Sequence, residues 1–243
     1  MKNKIIEHLN LKLTNENNEL KLGDIDYLDL NFEANKSSIN KIFTLLNCLE
    51  GYNKENKFNE HFRYRFDIHN KYNWSIEHII PQKPDDKTIL VYFYDIINYY
   101  KEYKKDIDKE LEETMQKIEE ITNKLSELQY KEFNGNIEKL IEDLKKYLPN
   151  FNDFIDSHNI KNLALLDRNT NSSLKNKIFK EKRNILLEFI NEEGRFIPPL
   201  TLKAFSKTFE GAKTEEMYWT PKDFEEYEKY QEKKLKDFIN SIK

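Results

Sequence analysis

Glu77 and His78 stand side by side in the segment Ile76-Glu77-His78-Ile79-Ile80-Pro81-Gln82, and Asn171 stands near the polar start of a later helical pattern. Neighbouring residues on a strand leave on opposite faces, so one of the Glu-His pair can hold a cation while the other takes a proton. Metal-dependent phosphodiester hydrolysis requires a hard cation on oxygen ligands, a base that deprotonates water, and an open position for a phosphate oxygen. A carboxylate, an imidazole and the Asn171 amide oxygen are suitable groups for those tasks. Each also has a plain structural reading: the Glu-His pair as a surface or packing pair, the Asn as a helix cap.

The elements around these residues are readable from periodicity. Alternation before Pro81 predicts a strand ending near His78, and the apolar run Asn162-Leu163-Ala164-Leu165-Leu166 predicts a second strand. Ser172-Ser173 predicts the cap of a helix marked by Leu174, Ile178, Ile185 and Phe189 and closed by Gly194 and Pro198-Pro199. Upstream, LKLTNE and IDYLDL suit brief strands or an extended arm. Ile39, Ile42, Phe43, Leu45, Leu46 and Leu49 predict a helix from Ser37 to Leu49. In 101–148, Ile107, Leu111, Ile118, Ile121, Leu125 and Leu128 follow heptad spacing. Asn134-Gly135-Asn136 then turns the chain into a second amphipathic segment, which makes a helical hairpin. A Tyr- and Glu-rich helix behind Thr220-Pro221 closes the chain.

Composition narrows the class. The chain has 243 residues, 40 Lys+Arg against 44 Asp+Glu and a net charge of −4, and its 13% aromatic content opposes disorder despite 35% charged residues. Five Gly and six Pro are too few for a many-turned β-sandwich or barrel. One cysteine, Cys48, excludes an internal disulfide and a zinc set, and its apolar setting makes it a core residue. There is no signal peptide, no run of ~18 apolar residues and no P-loop, so a cytoplasmic protein without a membrane segment or nucleotide hydrolysis of its own is expected.

Taken together, Ile76–Gln82, Asn162–Leu166 and Asn171, nine residues after Asn162, resemble the HNH (ββα-metal) nuclease motif in its H-N-N form. The resemblance makes His78 the general base, Glu77 and Asn171 ligands of Mg²⁺ or Mn²⁺, and Asn162 the brace of the loop between the strands. Beyond the motif, RYRFDIHNKYNWSIEHIIPQ, NIKNLALLDRNTNSSLKNKIFKEKR and GRFIPPLTLKAFSKTF resemble the C-terminal HNH domain of GmrSD-type, modification-dependent (type IV) restriction endonucleases, from roughly residue 22 onward. Two departures stand out. The His78-to-Asn162 spacing is long because the hairpin falls between the strands, and the DNA-sensing NTPase domain that precedes such domains is absent. The resemblance therefore implies an excised domain or a nuclease subunit beside a separate NTPase subunit, the Met1 start favouring the second.

Charge gives an independent pointer toward DNA. Residues 161–183 carry seven basic side chains, Lys161, Arg168, Lys175, Lys177, Lys180, Lys182 and Arg183, against Asp167 and Glu181. An acidic chain that binds nucleic acid needs such a local concentration. Arg168, Lys175, Lys177, Lys182 and Arg183 are the expected DNA contacts, and the alternative is a solvated face. Arg63 and Arg65, among Phe62, Tyr64 and Phe66, extend the patch or lie outward from core aromatics. Gln82, Asn176 and His158 are supporting candidates near the site, Asn169 replaces Asn171 if the register slips, and His8, His61 and His69 have no partner at ligand spacing.

The expected fold is mainly α with a small embedded ββα-metal core. Its parts are an N-terminal arm and helix over 1–70, the core over 71–100 and 149–195, the hairpin insertion over 101–148 and a helical extension over 196–243. The expected function is a metal-dependent DNA endonuclease of a bacterial anti-phage, modification-dependent restriction system. The alternatives are a catalytically decayed DNA-binding or scaffold subunit and an HNH-type RNase.

Overall fold

The alternation ending at His78 and the apolar run after Asn162 both form strands, and they pair with each other. In the computed structural model, which describes residues 21–22, 25–51, 64–81, 112–113, 116, 158–212, 219 and 221–241, strand β3 (Trp74–His78) runs antiparallel to β4 (Leu163–Asp167). The register places Glu77 opposite Ala164 and His78 opposite Leu163. Leu163 through Leu166 are all fully buried, which explains why β4 is apolar throughout rather than alternating. A second, two-residue antiparallel pair joins β1 (Lys21–Leu22) to β2 (Ile25–Asp26).

Helix α1 (Phe32–Leu49) starts earlier than Ser37 because Asn31 provides the cap, its side-chain oxygen accepting from the Glu33 N–H at 2.9 Å. The expected apolar set, Ile39, Ile42, Phe43, Leu45, Leu46 and Leu49, is buried. A single turn, α2 (Phe66–His69), leads into β3.

Beyond β4 the single helix expected behind Ser172-Ser173 is two. Asp167 caps α3 (Arg168–Leu174), accepting from the Asn169 and Thr170 N–H groups. Ser172 and Ser173 are interior residues that donate back to the Arg168 and Asn169 carbonyls. The chain then breaks at Lys175, whose φ of 50° no helix accepts, before α4 (Phe179–Glu193) begins. A further helix that periodicity did not reveal, α5 (Pro199–Ser206), has Pro199 in its first turn. It is held by buried polar groups: the Leu200 N–H donates to Asn47 Oδ1 at 2.8 Å and the Thr201 hydroxyl to the Leu165 carbonyl at 2.7 Å.

Helix α6 (Pro221–Asn240) closes the described chain. It is tied back by the Tyr27 hydroxyl, which donates to Gln231 Oε1 at 2.6 Å, and by Tyr230, which donates to Glu50 at 2.9 Å. Trp219 and Tyr227 are fully buried, with ring centroids 5.5 Å apart.

The architecture is mainly helical with a small antiparallel sheet. Two compact units divide the chain: Met1–Ile80, His158–Lys175 and Phe179–Lys243 in one, Pro81–Ser157 and Asn176–Ile178 in the other. All ten labelled elements belong to the first unit. The hairpin expected over 101–148 lies outside the described residues apart from Glu112, Glu113 and Gln116, which are helical. Among the described residues no helix is long and apolar enough to cross a membrane.

Candidate functional site

Strand β3 ends on the Glu77–His78 pair, and its pleat sends the two side chains to different surroundings. Glu77 Oε1 accepts from Lys182 Nζ of α4 at 2.5 Å, and the same ammonium donates to the His78 backbone carbonyl at 2.5 Å. Lys182 is 0% exposed and Glu77 7%. Burial pushes the Glu77 carboxyl up and the Lys182 ammonium down, and their mutual attraction opposes both shifts.

This corrects the reading of Lys182 as a DNA contact. A buried ammonium already held by two oxygens cannot reach a phosphate. Phe179, Lys182 and Leu186 form the buried stripe of α4, a 3-4 spacing that the cationic character of the segment concealed.

His78 turns toward the N-terminus of α1. Its ring meets Phe32 edge-on at 4.9 Å and His158 at 5.7 Å. Burial, with the electrostatic influence of His158 and Lys182 adding to it, lowers the imidazole from the ordinary histidine range to about 3, so the ring is neutral at physiological pH. His158 in turn lies 3.5 Å, Nε2 to Oε1, from Glu33, and its backbone carbonyl accepts from the Phe32 N–H at 2.9 Å.

Asn162 is fully buried directly before β4, and its amide pairs with both polar groups of one residue beyond β3. Oδ1 accepts from the Ile80 N–H at 2.8 Å and Nδ2 donates to the Ile80 carbonyl at 3.1 Å. The Asn162 carbonyl accepts from the Ile79 N–H at 2.8 Å. These three bonds fix the backbone that leaves His78.

Asn171 sits in the middle of α3 rather than at its start. Its Nδ2 donates to Ser75 Oγ at 2.8 Å and to the Ile76 carbonyl at 3.2 Å. Ser75 and Glu77, two positions apart, share one face of β3, so the Asn171 amide is brought to the face that carries Glu77. Ser75 had no signal in the sequence, because its part in the site is set by α3 docking on the strand. The alternative Asn169 is exposed.

Arg168 and Lys175 are exposed, as is Lys180, while Arg183 is half-buried. Asn176, exposed, and Lys177, half-buried, lie in the connection from α3 to α4 and belong to the second unit. Gln82 falls outside the described residues. Arg65 is exposed and pairs with Asp67 at 2.6 Å, and His69 is packed, its Nδ1 2.7 Å from the Tyr64 hydroxyl and its ring on Trp74. Cys48 is buried, and burial pushes its thiol up to about 12, which removes it as a nucleophile.

The Glu77 face of β3 carries a carboxylate, and Asn171, whose Nδ2 is engaged on Ser75 and Ile76, keeps an amide oxygen as a further donor. Both are hard oxygen donors that fit a Mg²⁺- or Mn²⁺-type cation. Among the described residues no group of three or more His, Cys, Asp and Glu could hold a metal ion. No family model, curated protein or solved structure matches the chain.

Proposed function

We propose that this chain is a Mg²⁺- or Mn²⁺-dependent DNA endonuclease, with β3, β4 and α3 as the strands and helix of a ββα-metal core. The observation that carries the reading is the set of four polar groups placed along β3 and its exit: Glu77 and His78 on the strand, the Asn162 amide closed on Ile80, and the Asn171 amide laid on Ser75 and Ile76. A buried asparagine that satisfies both polar groups of one loop residue holds that loop rigidly, as a reacting site requires.

In this reading Glu77 and Asn171 hold the cation. A bound divalent cation supplies charge against the negative phosphate and a position for one of its oxygens. His78 accepts the proton of the attacking water. A neutral imidazole can take up a proton, and the phosphodiester's negative charge, once beside it, raises the imidazole's proton affinity from the low level set by burial. Asn162 keeps His78 at the strand end. Arg168, Lys175 and Lys180 are the exposed cations available to backbone phosphates. The resemblance to the GmrSD-type nuclease domain supports a setting in bacterial defence against modified phage DNA, as nuclease subunit or domain beside an NTPase, DNA-sensing partner.

Nicking of supercoiled plasmid with Mg²⁺, Mn²⁺ or EDTA, set beside a labelled RNA, tests this. Relaxation that needs metal and is lost in His78→Ala is the expected result, and cleavage of RNA alone would make the chain an RNase with the same chemistry. The Glu77–Lys182 ion pair favours one competing reading, a non-hydrolytic DNA-binding or scaffold subunit whose carboxylate is committed to structure. Absence of turnover on either nucleic acid would establish that reading instead.

A further inference from the structure

We infer that Lys182 is a resident cation of the Glu77 carboxylate that makes divalent-metal capture depend on the phosphate of bound nucleic acid. The inference rests on the endonuclease reading and adds a role for a residue that the motif does not contain.

Three observations lead to it. First, the ammonium of Lys182 is enclosed by protein and bridges Glu77 Oε1 and the His78 carbonyl, each at 2.5 Å, so it ties together both members of the Glu-His pair. Second, the charge of the donor set is already cancelled. Glu77 is matched by Lys182, Asn171 is neutral, and among the described residues no cluster of three acidic, His or Cys side chains supplements them. Third, the Asn171 Nδ2 is committed to Ser75 and Ile76, so only the amide oxygen can ligate.

Among the described residues, a divalent cation approaching Glu77 therefore meets a carboxylate whose charge is already matched by an ammonium at contact distance. Mg²⁺ is ordinarily held by one or two carboxylates together with substrate phosphates. With the Glu77 carboxylate already neutralised, the added attraction comes from the phosphate. The ammonium also keeps the buried carboxylate from standing unpaired while nucleic acid is absent, a state that is strongly destabilising. Lys182 is thus a positioning residue. It holds Glu77 in its ligating place and withholds the metal until the phosphate arrives.

The test is Mn²⁺ binding followed by electron paramagnetic resonance, with and without a short DNA duplex, the duplex arm being run in a His78→Ala background to prevent cleavage. The His78→Ala chain is expected to bind Mn²⁺ at least tenfold more tightly with the duplex than without it, after correction for Mn²⁺ bound by the duplex alone. Lys182→Met, similar in length but uncharged, is expected to bind Mn²⁺ at least tenfold more tightly than wild type in the absence of DNA, and Glu77→Gln in the Lys182→Met background should abolish that gain. Lys182→Arg, which keeps the charge, should not show the gain.

Equal Mn²⁺ affinity of the His78→Ala chain with and without DNA overturns the inference whether or not Lys182→Met folds. A folded Lys182→Met that binds Mn²⁺ no better than wild type also overturns it. In both cases metal-dependent plasmid nicking by the wild type would leave the endonuclease reading standing, whereas loss of nicking as well would remove both.

Discussion

At the scale of single residues, the proposed endonuclease reading gives His78 the reactivity of the strand end and Asn162 its rigidity. Replacing His78 with Ala removes a proton acceptor and no phosphate contact, so turnover is expected to fall ~10²–10⁴-fold with DNA affinity unchanged, read by plasmid nicking beside a mobility-shift titration. The same ring carries a pH signature. Its native value of about 3 lies below the unfolded value of 6.5, so the unfolded chain binds the extra proton, and this contribution to stability is whole above pH 6.5 and drains as pH falls toward 3. Between pH 7 and pH 4 the loss is about 3 kcal/mol. Urea melts at the two pH values should show a correspondingly smaller loss in His78→Gln, and an identical loss would mean that His78 is not buried neutral. Asn162→Ala strips both partners from Ile80 in a buried place and is expected to cost roughly 2 kcal/mol in the same melts.

At the scale of elements, the site depends on how α3 is launched from β4. Asp167 is at once the last residue of β4, opposite Trp74, and the cap of α3. Its carboxylate fixes the first turn of the helix, one turn ahead of the residue that lays its amide on Ser75. Asp167→Ala should therefore cost about 1–2 kcal/mol as a lost cap. It should also lower nicking beyond what the lost stability explains at 25 °C, where the fold persists, because Asn171 loses its fixed position on the strand. Activity unchanged in a measurably destabilised Asp167→Ala would show that α3 geometry is not what positions the amide. The sharp break at Lys175, with φ of 50° and ψ of −145°, separates this short helix from α4 and lets Lys182 return to Glu77 from a different direction.

At the scale of the whole molecule, charge sets what the chain can do without a partner. The net charge is −4, and with Lys182 turned inward the basic segment 161–183 presents Arg168, Lys175 and Lys180 as its exposed cations. Some three phosphates neutralised correspond to a salt slope, log K against log [salt], of about −3. Such contacts carry no base information, so the isolated chain is expected to bind weakly and without regard to base modification. A fluorescence-anisotropy titration from 50 to 200 mM salt, on modified and unmodified duplexes, checks both. A much steeper slope would place further cations on the nucleic acid, and discrimination by the isolated chain would remove the need for a sensing partner.

What the sequence determined by itself is the local order of the chain. The strand ending at His78 and the buried strand after Asn162 were legible because alternation and uninterrupted apolar runs are short-range signals. The packed face of α1 was legible for the same reason, since Ile39, Ile42, Phe43, Leu45, Leu46 and Leu49 recur at helical spacing. What only the tertiary structure decided are pairings between distant residues. Lys182 looked like one cation among seven, and its true environment depends on α4 returning beside β3, 105 residues away from its partner Glu77. Asn171 looked like the start of a helix because Ser172-Ser173 offered a plausible cap, yet Asp167 caps that helix from the end of the strand. Asn47 and Thr201, which fasten α5 to α1 and β4, gave no signal because a polar residue in an apolar helix reveals its partner only when that partner has been folded against it. Periodicity reports which face of an element is buried. It cannot report what waits there, because that identity is set by long-range contacts whose sequence separation leaves no local trace.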